Sequence, residues 1–556
     1  MARSLASRPV VTALADGVIR PGTTVFDYGC GRGGDLRHLR HLGIEARGWD
    51  PVFAPAEPQA PADVVNLGYV VNVIEDEAER AQVLRSAWAL ARRTLVVAAR
   101  LQWERAALTG LSVGDGLLTT KGTFQRFYGQ DELRAWIDAT LGSSSVAAAP
   151  GIFYVFRERS DGECLLAERA RKDTPAGGLR ISDLLFEQHR SLLDPLQQFV
   201  ARHRRLPSHL ELTESASLSE LFGSVRSAFL VVRRVTGAEN WSDIELGDGA
   251  RGARRRFIDH QEMLQPLMDF LEERGRLPHP CELPKEADNY AALGGVRRAF
   301  SLIRRATGSS RWNEFATRRR EDFLLYLALS AFGSRTRFSD LPEDLQHDAR
   351  DFFGSYRAAC KQADLVLLAA GDLEARNAAF KECPVGKLTR EALYLHVGQI
   401  GRVSPVIRAY EGCGRVLTGT VIDANVIKLH RIKSQVSYLS YPEFDRDPHP
   451  ALATVVVSRL ARLDVTYRDF RDSANPPVLH RKETFVGHDY PGRAKFARLT
   501  EQEERYGLLA DAAAIGTRDG WNERLQNAGW VLRGHRLVRP HESATPISGG
   551  RASRSG

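Results

Sequence analysis

The tightest constraint on this chain is eleven residues long: Val25-Phe26-Asp27-Tyr28-Gly29-Cys30-Gly31-Arg32-Gly33-Gly34-Asp35. The run opens apolar and β-favouring, turns glycine-rich, then enters a stretch whose Leu36, Leu39 and Leu42 recur at helical spacing. A strand, a tight glycine turn and a helix start make the mononucleotide-binding unit of a doubly wound sheet. Glycine suits the turn because it tolerates positive φ and lets the backbone approach a ligand. The downstream pattern continues the α/β rhythm. Glu45 to Asp50 reads as a second strand and Ala62 to Asp76 as a buried strand running into a loop. Glu77 to Arg92 reads as an amphipathic helix with Val83, Leu84, Ala87 and Leu90 inward. Thr94 to Ala99 is a buried parallel strand, Gly129 to Leu141 a helix and Gly151 to Phe156 a last strand.

The spacing Asp27-x-Gly29-x-Gly31-x-Gly33 says more than glycines alone. A carboxylate two residues before the first glycine repels a pyrophosphate and suits a ligand bearing an ammonium and a sulfonium. The motif resembles the S-adenosylmethionine (SAM) loop of class I methyltransferases. The resemblance implies a Rossmann-like fold with Asp27, Gly29, Gly31 and Gly33 holding the cofactor. Asp50, ending the second strand, stands where an acid can take ribose hydroxyls, and equally where an aspartate caps a turn before Pro51. The full fold places a further helix and strand after that point. Here Pro51 to Pro61 is a short proline- and alanine-rich loop, so a shortened sheet is expected. Asn66-Leu67-Gly68-Tyr69 falls at the sheet's carboxyl edge. Its Asn-x-x-aromatic pattern is similar to the motif with which DNA amino-methyltransferases hold a flipped base, without the two prolines. Asn66 and Tyr69 are therefore the catalytic candidates, with Asn66 and Leu67 alternatively lining the cofactor pocket. The run Asn72 to Asp76 fits a small-molecule methyltransferase equally well.

At 556 residues, two to four domains are expected. No apolar run approaches the ~20 residues of a membrane span, and Met1 to Pro9 lacks a signal-peptide core. Six scattered cysteines form no CxxC, so neither a zinc ribbon nor a disulfide framework is suggested, and a reducing cytoplasm fits. An internal repeat fills the middle. Pro195, Leu206-Pro207, Glu211, Phe229, Arg233-Arg234, Thr236-Gly237 and Trp241 recur as Pro266, Leu277-Pro278, Glu282, Phe300, Arg304-Arg305, Thr307-Gly308 and Trp312, 71 residues on. Each copy reads as a helix, a Leu-Pro loop and a second helix. Phe229 and Phe300 sit at core positions, which favours packed hairpins with solvated arginines over phosphate-binding modules. The expected organisation is a methyltransferase-like domain over 1–172, duplicated helical modules over 173–320 and a helical connector over 321–383. A basic α+β domain over 384–540 and a disordered Ser/Gly/Arg tail over 541–556 complete it.

Net charge is +8, and Val385 to Pro540 carries 24 basic against 17 acidic residues, so the excess is concentrated there. A basic domain is the expected footprint of a phosphate-rich partner, and equally that of a solvated basic face. Two runs mix histidine, cations and aromatics: Ile427 to Pro450 and Asn475 to Phe485. From them Lys428, His430, Arg431, Lys433, His480, Arg481 and Lys482 are the candidate nucleic-acid contacts. Glu443, Asp445, Asp447 and His449 read as an ordered proline-rich loop, and no metal ligand is assigned. Asn475-Pro476-Pro477-Val478 lacks the aromatic of a base-flipping motif and reads as a rigid turn.

Longer runs carry a second resemblance: Phe26 to Gly33, Gly48-Trp49-Asp50-Pro51, Val65 to Asp76, Thr123 to Tyr128, Val436 to Leu452 and Asn475 to Phe485. In these the chain resembles the DNA phosphorothioation-associated methyltransferases. The resemblance implies a bacterial defence protein using SAM on DNA or a nucleic-acid-linked substrate, with other DNA-modification proteins as partners and no membrane. Gly34 departs from the family pattern, which often has an acid there. Two rivals stay open: a non-catalytic DNA-binding accessory protein and a small-molecule methyltransferase.

Overall fold

A computed structural model describes residues 6–539 apart from 173–185, 188, 223, 242–243, 245–260 and 308. The tail expected over 541–556 lies outside the described residues. The chain divides into two compact units, Met1–Gly162 with Leu367–Gly556, and Glu163–Val366.

The first unit begins with helix α1 (Arg8–Ala15), β1 (Thr24–Tyr28), α2 (Gly34–His41), β2 (Glu45–Trp49), β3 (Ala62–Gly68), α3 (Glu77–Leu90) and β4 (Ala91–Ala98). An insert of β5 (Gly110–Val113), β6 (Gly116–Thr119) and β7 (Phe124–Arg126) precedes α4 (Gln130–Leu141), β8 (Ser145–Ala149) and β9 (Ile152–Phe156). The main sheet runs β2-β1-β3-β4-β9-β8, the first four strands parallel and β9 antiparallel to both neighbours. This is the expected Rossmann-like α/β sheet. Val65, Leu67, Leu95 and Val97 are buried, as strands covered on both faces require. Asp76 caps α3 by accepting the Glu79 N–H at 2.7 Å, and Leu84 and Ala87 turn inward. Between Trp49 and Ala62 the described backbone is turns with one bridge, Asp50 to Ala54. β2 is therefore the sheet edge, and the sheet is shortened as anticipated.

The remainder of this unit is built, with several helices, on an antiparallel meander: β10 (Lys387–Leu388), β11 (Ala392–His396), β12 (Val426–His430), β13 (Gln435–Ser440), β14 (Thr454–Arg459) and β15 (Asp464–Asp469). Helix Pro405–Thr418 packs on β13 and β14 and also on β8 of the first sheet. The Thr420 N–H reaches Ala148 O at 2.8 Å, Gln130 Nε2 donates to Leu417 O at 3.1 Å, and Trp103 stacks on Tyr467 with centroids 5.1 Å apart. The two ends of the chain thus form one folded body. Among the described residues no helix is long and apolar enough to cross a membrane.

In the second unit the repeat is structural. Helices Arg190–His203 and Val225–Thr236 recur as Gln261–Arg274 and Val296–Thr307. Phe229 meets Trp241 edge-on at 5.4 Å and Phe300 meets Trp312 at 6.1 Å. Phe229 is fully buried and Arg304 exposed, so the core positions fall as read; the side chains of Arg234 and Arg305, and Gly308, lie outside the described residues. Each copy also builds one bidentate ion pair, Arg205 to Glu211 at 2.8 and 2.5 Å and Arg276 to Glu282 at 2.8 and 2.7 Å. Their settings differ. Arg276 is 4% exposed and bonds Asp348 at 2.6 Å as well, whereas the Arg205 side chain is 54% exposed. Arg276→Ala takes the bidentate partner from half-buried Glu282 and the shortest ion pair from buried Asp348, and is expected to cost about 3 kcal/mol in chemical denaturation. Arg205→Ala should leave the midpoint nearly unmoved, as exposed pairs do. Equal losses would remove this distinction.

Candidate functional site

Three elements converge at the carboxyl ends of β1 and β3. Parallel register sets Asp27 beside Asn66 on one side and Gly48 on the other. The Asn66 Nδ2 amide donates to Asp27 Oδ1 at 2.8 Å, and both side chains are buried. Burial pushes the Asp27 carboxyl up to about 7 against the Asn66 hydrogen bond, with Asp35 and Asp50 adding to the rise. Asn66 Oδ1 is buried and accepts no hydrogen bond. A buried carboxylate and an orphaned carbonyl side by side are acceptors awaiting a donor.

The glycine loop follows directly. Gly29, Gly31 and Gly33 all hold positive φ, at 84°, 52° and 70°. A Cβ on Gly29 would meet Val70 Cγ2 at 2.5 Å, so this position must be glycine for the loop after β3 to close on it. A Cβ on Gly31 would meet nothing within 4 Å, leaving open space above the loop. Asp50 pins the loop from β2: its Oδ2 accepts the Gly31 N–H at 2.9 Å, and its Oδ1 accepts the amides of Val52 and Phe53, each at 2.9 Å. Leu67 lies in the hydrophobic core.

Tyr69 sits immediately beyond β3 at φ 62°, its N–H held by Ala98 O at 2.8 Å. A bulky residue in the left-handed region is strained, and strain of this kind concentrates at functional sites. The β5–β7 insert leaves the carboxyl end of β4 and is tied to this same loop. Arg126 N–H donates to Asn72 O at 2.7 Å, and Asn72 Nδ2 donates to Gln125 Oε1 at 3.1 Å. Buried Arg80 secures it further through Asp115 at 2.7 Å. Sequence reading missed Arg80. An arginine one helical turn into α3 carries no local signal of its partner on a hairpin 35 residues away.

The candidate phosphate contacts divide. Lys433 is exposed. Lys428 stands 3.6 Å from Glu391, and Arg481 pairs with Glu504. The others face inward. Arg431 donates to Asn377 Oδ1 at 2.8 Å and to the Thr389 carbonyl at 3.2 Å. His430 lies 3.0 Å from Gln435 Nε2, and burial lowers it to about 4. Lys482 Nζ donates to the Phe444 carbonyl at 2.7 Å between the rings of Phe444 and Phe496, and burial lowers it to about 8. His480 lies 2.9 Å from Ile515 O and packs on Trp521. His449, Asp447 and Asp445 do not converge as metal ligands. His449 pairs with buried Glu503 at 2.7 Å, Asp447 accepts the His449 N–H at 2.9 Å, and Asp445 accepts the Tyr490 hydroxyl at 2.9 Å. Beside them a cavity of about 550 Å³ is lined by Asp447, His449, Arg518, Trp521 and Trp530 among others. Asn475 Oδ1 accepts the Asp519 N–H at 2.9 Å, in keeping with a turn.

No family model and no curated protein matches the chain. Solved structures similar to it include 1,6-didemethyltoxoflavin-N1-methyltransferase of Burkholderia thailandensis with bound S-adenosylhomocysteine (18% identity, 27% of this chain and 76% of that one, TM-score 0.19). Magnesium protoporphyrin IX methyltransferase of Synechocystis with bound SAM is also similar (19% identity, 27% and 76%, TM-score 0.19). So is a sugar N-methyltransferase of Streptoalloteichus (15% identity, 27% and 87%, TM-score 0.21).

Proposed function

We propose that this protein is a SAM-dependent methyltransferase whose cofactor lies on the Asp27–Gly33 loop and whose acceptor is DNA or a nucleic-acid-linked group. The observation that carries the reading is the buried pair of Asp27 and Asn66, with one carboxylate and one orphaned carbonyl set at the head of an open glycine turn. That donor-hungry pair fits an ammonium-bearing ligand and not a pyrophosphate. SAM, when bound, supplies a methyl on a sulfonium that is already a good leaving group. The chain's own contribution is placement. Asp27 and Asn66 would take the donors of the amino-acid end, the glycines would let the backbone close on the ligand, and Asp50, which holds the loop in shape through the Gly31 N–H, would offer a carboxylate to the ribose hydroxyls. Tyr69 and the strapped loop behind it form the acceptor side. With Asn66 engaged by Asp27, Tyr69 is the stronger candidate to touch the acceptor.

Nucleic acid as acceptor is supported by the basic last third and by the resemblance in the runs Val436 to Leu452 and Asn475 to Phe485. A small-molecule acceptor is favoured by one observation: Arg431, His480 and Lys482 spend their donors on internal partners. Transfer of tritiated methyl from SAM separates the two. Expected is nuclease-sensitive, acid-precipitable label on phosphorothioated or plain DNA, lost in Tyr69→Ala. Label confined to small molecules of a cell extract selects the second reading. SAM binding without transfer to DNA, RNA or extract selects the accessory protein.

A further inference from the structure

The second copy of the repeat differs from the first at two loop positions that matter chemically. At the 71-residue offset, Ser208 becomes His279 and Leu210 becomes Cys281. Leu210 is 98% exposed and contributes nothing to the first copy's core. In the second copy the same loop faces helix Glu343–Phe353, which sets Glu343, His347 and Asp351 on one face at four-residue spacing.

The Cys281 Sγ lies 3.7 Å from Glu343 Oε1, and His347 Nε2 lies 3.9 Å from the same oxygen. One ligand atom from each of the three residues falls within 4.8 Å of the others. Two ligands of a tetrahedral zinc ion stand about 3.4–3.7 Å apart, given bond lengths of about 2.0–2.3 Å. The cluster is thus nearly at coordination spacing. His347 supplies an independent sign. Its side chain is 9% exposed, and its Nδ1 is buried without a hydrogen bond, 3.5 Å from Glu282 Oε1. Glu282 is itself gripped by Arg276 at 2.8 and 2.7 Å. Metal-bound histidines commonly give their second ring N–H to such a carboxylate. His279 stacks on the His347 ring at 3.7 Å and 11°, and its Nε2 lies 3.1 Å from Asp351, so the ring plane is fixed from one side.

We propose that Cys281, Glu343 and His347 form a zinc site, through His347 Nε2, with a fourth position open to solvent. Thiolate, imidazole and carboxylate together select a borderline-soft divalent ion, not magnesium or calcium. Cys281 and Glu343 are exposed, so the ion has an entry path. Binding exchanges the thiol proton for the metal and staples the second repeat's loop to helix Glu343–Phe353.

The test uses the tag-free full chain. Zinc is titrated against a chromophoric chelator, and cobalt is added separately to read the ligands. Expected are one zinc per chain and, with cobalt, a near-ultraviolet thiolate charge-transfer band. Cys281→Ser should weaken zinc at least 100-fold and erase the band, and Cys360→Ser should change neither. The Cys281 variant alters an exposed side chain, so its fold is safe, and circular dichroism checks it. His347→Gln should likewise weaken zinc. No thiolate band, or zinc binding undiminished in Cys281→Ser, overturns the assignment.

Discussion

Asp27→Asn is expected to weaken SAM at least a hundredfold while making the free protein more stable above neutral pH. Asparagine keeps the size and one acceptor of the side chain but removes the charge that would meet an ammonium. Losing one partner of a buried charge pair costs about 3 kcal/mol or more, on the order of a hundredfold in Kd. The pH dependence gives the second signature. Burial holds the Asp27 carboxyl up at about 7, so the charged form that binds a cation is the minor one in mildly acidic solution. Wild-type affinity should therefore rise with pH and level off above about 7, and the variant should show no such rise. Stability runs the other way. The folded carboxyl titrates about three units above the unfolded value of 3.8, so the folded state binds the extra proton between them. Asp27's contribution is thus favourable at low pH and lost as pH rises through about 7, by at most about 4 kcal/mol. The variant should lack that slope. Calorimetry at pH 6, 7 and 8 reads the first effect, and thermal unfolding from about pH 4 to 8 reads the second. Affinity within threefold of wild type in the variant would sink the cofactor assignment.

How far the sequence reached depended on whether a feature was written in neighbouring residues or only in pairing. The apolar runs at Val25 and Thr94 specify buried strands, and the glycines at 29, 31 and 33 specify the turn, because each needs nothing beyond its own stretch. The short loop after Asp50 is likewise visible as missing material. Strand β8 was not legible. Ser145-Val146-Ala147-Ala148-Ala149 has little β-propensity, and its place comes from pairing with β9 and from the helix Pro405–Thr418 laid against it. The β5–β7 hairpins are three or four residues each and carry glycines at strand positions, below what periodicity can register. The Asp27–Asn66 bond depends on parallel register between strands 39 residues apart. Cationic residues were the hardest to read. Lys428 and Lys482 look alike in sequence, yet one stands on a strand beside a surface glutamate and the other is buried between two phenylalanine rings. The repeat was visible as spacing, but its divergence at Cys281 gained meaning only when the helix bearing His347 was placed beside it.

Gly419→Ala is expected to destabilise the first unit severely. Gly419 caps helix Pro405–Thr418 at φ 69° and ψ −164°, a conformation close to exclusive to glycine. A Cβ there would lie 2.4 Å from both Ala148 C and Ala149 N and 2.6 Å from Ala148 O. All three are backbone atoms of β8, which cannot rotate away as a side chain can. Relief requires the segment to back off the strand, breaking the Thr420 N–H bond to Ala148 O and loosening Gln130 from Leu417. Conformational strain of about 1–3 kcal/mol plus the lost contacts makes a total of about 3–5 kcal/mol. Gly529→Ala is the control for an added methyl at positive φ without a steric clash. Its φ is also 69°, but an added Cβ meets nothing within 4 Å, so it incurs the left-handed strain of about 1 kcal/mol alone. Urea unfolding should show Gly419→Ala losing about 2 kcal/mol or more beyond Gly529→Ala, the excess being the β8 clash together with the added strain at Gly419. The β8 edge is separated from β1 by β9, β4 and β3. SAM affinity below the transition should therefore survive in Gly419→Ala even as the midpoint falls, the converse of Asp27→Asn. A Gly419 variant no less stable than the Gly529 control would show that the two ends of the chain are not held together at this strand.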